Sequence, residues 1–291
     1  MMAVAVARSR RGLKRIVVGR PYPRTPGAAR LVPGLLVLGV PLLIALAGPL
    51  FAGEAGPRGT SLTTGAGHPL GTDFTGRDVL REILLGGRSV VLVAVAATAL
   101  TYAVALPVGF VCALTRRAWL EEVLMRPLDV LLSVPSLLAV LLVAAVVRPG
   151  PAGLAAVVAF VGIPDAARIV RAAGAEAAAR PAVEALRMQG ESWARLALGY
   201  VGRAIGRTLA ADVGVRLTGA VYLVATAAFL GVGVAPDAAD WAVMVDRNRT
   251  GLSVQPWATV VPALLIVALT MGGNLLADAA LTRPHRTEKN R

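Results

Sequence analysis

Long uncharged runs separated by short polar segments set the pattern of this chain. Residues 31–51 are 21 uncharged positions in a row. As a helix they reach ~31 Å, enough to cross a hydrocarbon core of ~30 Å. The basic leader and the apolar run are both too long for a cleaved signal peptide, so the run reads as a first membrane span. Residues 89–115 predict a second span, kinked at Pro107. Residues 130–147 predict a third, with Pro135 inside it. Residues 152–164 are too few to cross unless their helix continues towards Val170, and this fourth span has the weakest pattern. Residues 217–234 and 256–277 predict the fifth and sixth.

The polar segments carry their own signals. Residues 53–88 are rich in Gly, Thr and Pro, with a short helix expected from Asp78 to Leu85 behind the turn and cap residues Asp73 and Thr75. Residues 116–126 read as a charged loop, 148–151 as a tight turn and 231–255 as a polar loop. The longest polar stretch, 165–208, holds seven arginines and four acids. Pro181 opens a helical piece that runs to Gln189, and Gly190 breaks it. Ser192 is placed to cap a second piece, which carries Trp193, Leu196, Tyr200 and Ala204 on one stripe. Such a break with an apolar stripe suits either a docking surface for a soluble partner or a helix lying on lipid headgroups.

Composition agrees with a membrane protein: 56% of residues are hydrophobic and 16% charged. The net charge of +13 would suggest nucleic acid in a soluble chain. Its placement excludes that reading. Six spans put both termini on one side, and the polar segments of that side hold 22 Lys and Arg against 7 on the other. Positive residues stay inside, so the termini and the 165–208 stretch are expected in the cytoplasm. Asp212 and Arg216, four apart, are expected to pair where span five enters the membrane.

The organisation read from this pattern is a basic arm at 1–30, a first transmembrane helix at 31–52 and an extracytoplasmic segment at 53–88. A core transmembrane region follows at 89–281, with the polar loop 165–208 inside it, and then a tail at 282–291. Catalytic chemistry is missing. Cys112 is the only cysteine, and His68 and His285 have no partners at ligand spacing, so no metal and no cofactor are expected. Neither lysine, Lys14 nor Lys289, follows a glycine, so no phosphate-binding loop can form. The chain is expected not to be an enzyme. No acid lies well inside a predicted span, which argues against ion-coupled transport and for energy from a partner.

Four motifs then give a resemblance. His68-Pro-Leu-Gly-Thr-Asp-Phe-Thr-Gly-Arg-Asp-Val-Leu80 resembles the signature of the peptide/nickel class of ABC importer permeases, the dipeptide and oligopeptide "C" subunits. It contains Gly71, Asp73, Gly76, Arg77 and Asp78. Val183-Glu-Ala-Leu-Arg-Met-Gln-Gly190 resembles that group's cytoplasmic E-A-A-x-x-x-G loop. Phe229-Leu-Gly-Val-Gly-Val-Ala-Pro236 resembles the family's F-L-G-L-G-V-x-P, with Gly231 and Gly233 at its glycines, and Trp241 falls at the family's tryptophan. Asn274-Leu-Leu-Ala-Asp278 resembles the closing N-L-L-G-D. Three departures stand out. Leu186 replaces an alanine, 200–203 lacks the usual histidine and proline, and Val224 stands in place of a glutamate.

The resemblance implies an all-α polytopic fold of the type I ABC importer permease kind, with six transmembrane helices and a cytoplasmic coupling-helix loop. It implies a second permease subunit, two cytoplasmic ATPase subunits and an extracytoplasmic binding protein as partners, in a bacterial inner membrane. It assigns ATPase coupling to Glu184, Ala185, Gly190, Trp193 and Leu196. The alternatives are an ion-coupled carrier, or a permease relative that has lost activity.

Overall fold

A computed structural model describes residues 27–65 and 67–281. The basic arm up to residue 26 and the tail 282–291 lie outside the described residues. The described chain is helical, with isolated bridges but no strands. Five helices are long and apolar enough to cross a membrane, and a bent pair brings the number to six.

The first helix, α1, spans Gly27–Phe51 and starts four residues before the uncharged run. The expected short helix at Asp78 and the second span form one helix instead. This is α2, Val79–Leu114, with Pro107 inside it and Asp78 as its N-cap accepting from the Arg81 N–H. Gly86 and Gly87 do not break it, because their bare Cα atoms are where Trp241 packs against the helix. Close approach of another element compensates for the ~1 kcal/mol helix penalty of glycine.

The charged loop and third span are also rearranged. Residues Ala118–Leu132 form α3 and Ser136–Val147 form α4, with a bend of 88° between them. Pro135 supplies no N–H and disfavours helical geometry at Val134, so the run turns there instead of crossing straight. The fourth span is longer than expected: α5 runs over Pro151–Ala178 with proline at its first turn. Asp165, Arg168, Arg171 and Glu176 therefore belong to this helix and not to a loop. Arg168 and Arg171 pair with Asp129 and Glu121 of α3.

Helix α6 covers Pro181–Met188, one residue short of the expected end. Residues Arg195–Val201 form a π-helical segment that continues into α7, Gly202–Phe229. The fifth span thus ends at Phe229, and 230–234 is a turn with positive φ at Gly231 and Gly233. The polar loop that follows contains a helix, α8, Trp241–Asn248. Asp240 caps it, accepting from the N–H groups of Ala242 and Val243. The last helix, α9, is Trp257–Leu281.

Helix α2 is the axis of the bundle. It packs along α5 and touches α1 and α7, while α9 packs on α1 and α7. Gly48 and Gly272 lie where α1 meets α2 and α9 at backbone distance, as small residues do between membrane helices. The main core joins Val90, Ala94, Leu154, Val224 and Trp241. A second cluster near the other end of α2 joins Phe110, Val170, Val183, Leu196 and Val201. The outward faces of α1 and α9 remain apolar: Leu43, Leu46, Leu264 and Met271 are exposed, as lipid-facing side chains must be.

Candidate functional site

Two ends of α2 carry the expected motif residues, and they do different work. At its N-terminal end, 68–78 forms a clamp against α8. Asp73 is fully buried and accepts from the N–H groups of Thr75 and Arg77, both at 2.8 Å. Arg247 of α8 bridges Asp73 at 2.9 Å and Glu82 at 3.0 Å. Arg77 adds a bond to the Asp237 carbonyl, and His68 Nδ1 lies 2.6 Å from Asp78. Asn248 accepts from the Phe74 N–H, and Gln255 donates to the Leu70 carbonyl. Gly71 and Gly76 have φ of 73° and 78°. A Cβ at Gly71 would land on the Gln255 amide, and one at Gly76 on the Gly59 carbonyl. Every charged group of the motif is spent on holding the segment to α2 and α8, which agrees with its reading as a structural turn.

Trp241 closes this clamp. It is fully buried, and its indole N–H donates to the Ile83 carbonyl at 2.8 Å. Burial pushes the carboxyl of its neighbour Asp240 up, while hydrogen bonds from Ser89, Val243 and Ala242 pull it down. Gly233 belongs to the same packing, since a Cβ there would collide with Leu154. Asn274 and Asp278 lie far from it, near the other end of α9.

The α6 end holds the residues expected to couple, Glu184, Ala185, Gly190, Trp193 and Leu196. Val183 is fully buried under α6, and Arg187 donates to the Leu114 carbonyl at 3.1 Å, so the helix is pinned to the end of α2. Arg116 bonds both carboxylate oxygens of Glu184 at 2.9 Å. Gly190 turns the chain with φ of 80°, and its Glu191 neighbour donates back to the Leu186 carbonyl. This is the glycine break read from the sequence, with the left-handed backbone that favours glycine. Ala185 is half-buried on α6.

The apolar stripe does not survive as expected. Trp193 is 49% exposed, but Leu196 is 5% exposed and packs into the second core cluster. Ala204 is exposed, and Ile205 takes the inward position. The cause is the π-helical segment, whose wider turn moves the inward face to Leu196, Ala197, Val201 and Ile205. Leu196 therefore leaves the docking set. Met188 at the end of α6, next to the Gly190 turn, is 77% exposed. Its signal in the sequence was a bare methionine between Arg187 and Gln189, too short to show a period.

A third constellation lies within the spans. Arg216 contacts Asp212 at 3.4 Å, as the four-residue spacing predicts, and also Asp165 of α5 at 3.1 Å. Tyr102 of α2 donates to Asp212 at 2.5 Å. The expectation that no acid lies well inside a span is corrected: Asp165 and Asp212 are in the interiors of α5 and α7. The longer helices, not visible from the uncharged runs, carry these acids inward. Among the described residues no group of His, Cys, Asp and Glu could hold a metal.

Comparison with known proteins adds a family. Residues 105–284 match the family described as binding-protein-dependent transport system inner membrane component. The chain is 30% identical over 218 residues to a putative peptide permease of Brucella abortus, covering 72% of this chain and 70% of that one. It is 27% identical to the dipeptide transport system permease of Haemophilus influenzae, with 72% and 70% covered. It is also 27% identical to the glutathione transport system permease of Pectobacterium atrosepticum, with the same coverage.

Proposed function

Since the chain belongs to the family of binding-protein-dependent transport system inner membrane components, a multi-pass permease family of the type I ABC importer fold, we propose that it is the peptide-conducting half-channel of an ATP-driven importer. A second, similar permease completes the path. Two ATPase subunits bind at the α6 end, and a binding protein delivers substrate at the α8 end. The peptide substrate class is supported by what the relatives are named for. In this reading the α6 end and both termini face the cytoplasm, as the distribution of Lys and Arg supports.

The observation that carries the coupling role is the α6–Gly190 corner. It is pinned to α2 from below by Val183 and Arg187, yet presents Met188 and Trp193 outward. An apolar pair on a rigid, polar-flanked corner suits insertion into a groove of a soluble subunit. A push on α6 is passed to α2 through Leu114 and Arg116, and α2 runs the full height of the bundle. Closure of the ATPase pair around ATP then moves α2 and α5 together and alternates access to the path.

The test is uptake by the complete importer in vesicles. Import of a dipeptide that needs ATP inside and survives collapse of the proton gradient supports the reading. Uptake driven by a proton gradient without ATP, or nucleotide turnover by the purified single chain, overturns it.

A further inference from the structure

The Asp165–Arg216 pair opens onto a recess between α2, α4, α5 and α7, with a cavity of about 250 Å³. Asp165 is 14 residues from the start of α5 and Arg216 is 13 from the end of α7. At 1.5 Å per residue both are ~20 Å below the same end of the bundle, well within a core of ~30 Å. The Asp165 side chain is nonetheless 52% exposed. A carboxylate at that depth is costly against lipid, so the recess faces water or protein.

The charges do not balance. Arg216 is shared by two carboxylates, and Asp212 is the more covered of the two, held also by Tyr102. The three charges sum to a net negative charge, and Asp165 is the carboxylate on the open side. The remaining polar side chains of the lining are the hydroxyls of Thr98, Thr101, Ser136 and Tyr222. Thr98 commits its hydroxyl hydrogen to the Ala94 carbonyl, and Thr101 to Ala97 and Ala159. Each therefore turns only lone pairs to the recess. Arg216 and Asp165 are the only charged residues lining it, and Gly219 leaves its wall bare.

We propose that this recess is a substrate-contact site on the transport path, where the Asp165 carboxylate and the Thr98 and Thr101 hydroxyl oxygens receive the ammonium end of the passing peptide. Arg216 is a positioning residue: it holds Asp165 at the mouth and takes its place beside Asp212. The peptide part of this assignment rests on the function proposed above. The carboxylate–hydroxyl set alone calls for an ammonium cation.

The site is tested with Gly219→Cys in a Cys112→Ala background, since an added side chain at Gly219 meets nothing within 4 Å and Cys112 is buried. Rates of modification by a cationic and an anionic methanethiosulfonate of similar size are compared in the membrane-embedded chain. The cationic reagent is expected to react about tenfold faster, because Asp165, Asp212 and Arg216 together leave the cleft with a net negative charge that draws cations. Asp165→Asn, which leaves Arg216 paired with Asp212, is expected to abolish the preference, and Asp165→Glu to keep it. Equal rates in the parent, or a preference that survives Asp165→Asn, overturns the site. A second arm measures dipeptide uptake by the complete importer, where Asp165→Asn is expected to raise KM about tenfold. A labelling preference without dipeptide uptake by the wild type overturns the peptide reading and leaves an ammonium site standing. Labelling preference and wild-type uptake together, with uptake unaffected by Asp165→Asn, overturns the substrate role.

Discussion

Asp240 shows how a single residue can serve local structure at a cost. Its carboxylate caps α8, but burial pushes its pKa up. The folded chain therefore holds the proton more tightly than the unfolded one. Stability from that proton is full below the unfolded pKa of ~3.9 and is lost as pH rises through the higher folded value. At neutral pH the buried charge is a net burden. Asparagine caps as well as aspartate, so Asp240→Asn is expected to raise Tm at pH 7, with the gain vanishing below about pH 4. Thermal unfolding in detergent at both pH values checks this, and a lower Tm at pH 7 would contradict it. Trp241 beside it is an anchor of a different kind. Trp241→Ala removes a fully buried indole and its bond to Ile83, and is expected to cost ~3–5 kcal/mol of stability.

At the scale of elements, the π-helical segment divides two residues that a regular period would treat alike. Leu196 is core and Trp193 is surface. Leu196→Ala is expected to destabilise the α6 end by ~2–4 kcal/mol and lower the yield of folded protein. Trp193→Ala is expected to leave Tm and yield at wild-type values and to weaken ATPase retention by ~2 kcal/mol or more. Thermal unfolding together with co-purification separates the two. If Trp193→Ala retains the ATPase and transports as wild type does, the corner is a lipid-surface element and not a coupling one. Gly190 can also be probed, because a side chain there meets open space and only the left-handed backbone resists it. Gly190→Val is therefore expected to distort the corner without disturbing the core.

For the whole molecule, α2 is the connection between two specialised ends. One end is tied by buried ion pairs, Arg247 with Asp73 and Glu82, so it is rigid. The other is held by the second apolar cluster, which includes Val183 and Leu196, and by the Arg116–Glu184 pair at the surface. Orientation can be tested on positions exposed at each end. Leu252→Cys, near α8, is expected to react with an impermeant thiol reagent added outside intact cells. Met188→Cys is expected to react only after permeabilisation. The reverse pattern would invert the topology that the basic residues imply.

How much the sequence determined by itself follows from which forces are local. Uncharged length, proline and glycine positions and the placement of arginines act within one segment. They sufficed for the membrane class, the approximate spans and the Gly190 break. The four motifs carried the family because each is a short run whose spacing can be read directly. Interactions between distant segments decided the rest. Gly86 and Gly87 look like helix breakers until Trp241, more than 150 residues away, is packed on them. Asp165 looks like the edge of a span until Arg216 pairs with it across the bundle. Leu196 looks like a docking residue until the π-helical segment turns it into the core. In each case the deciding energy belongs to a contact that exists only once helices are side by side, and no local period can report it.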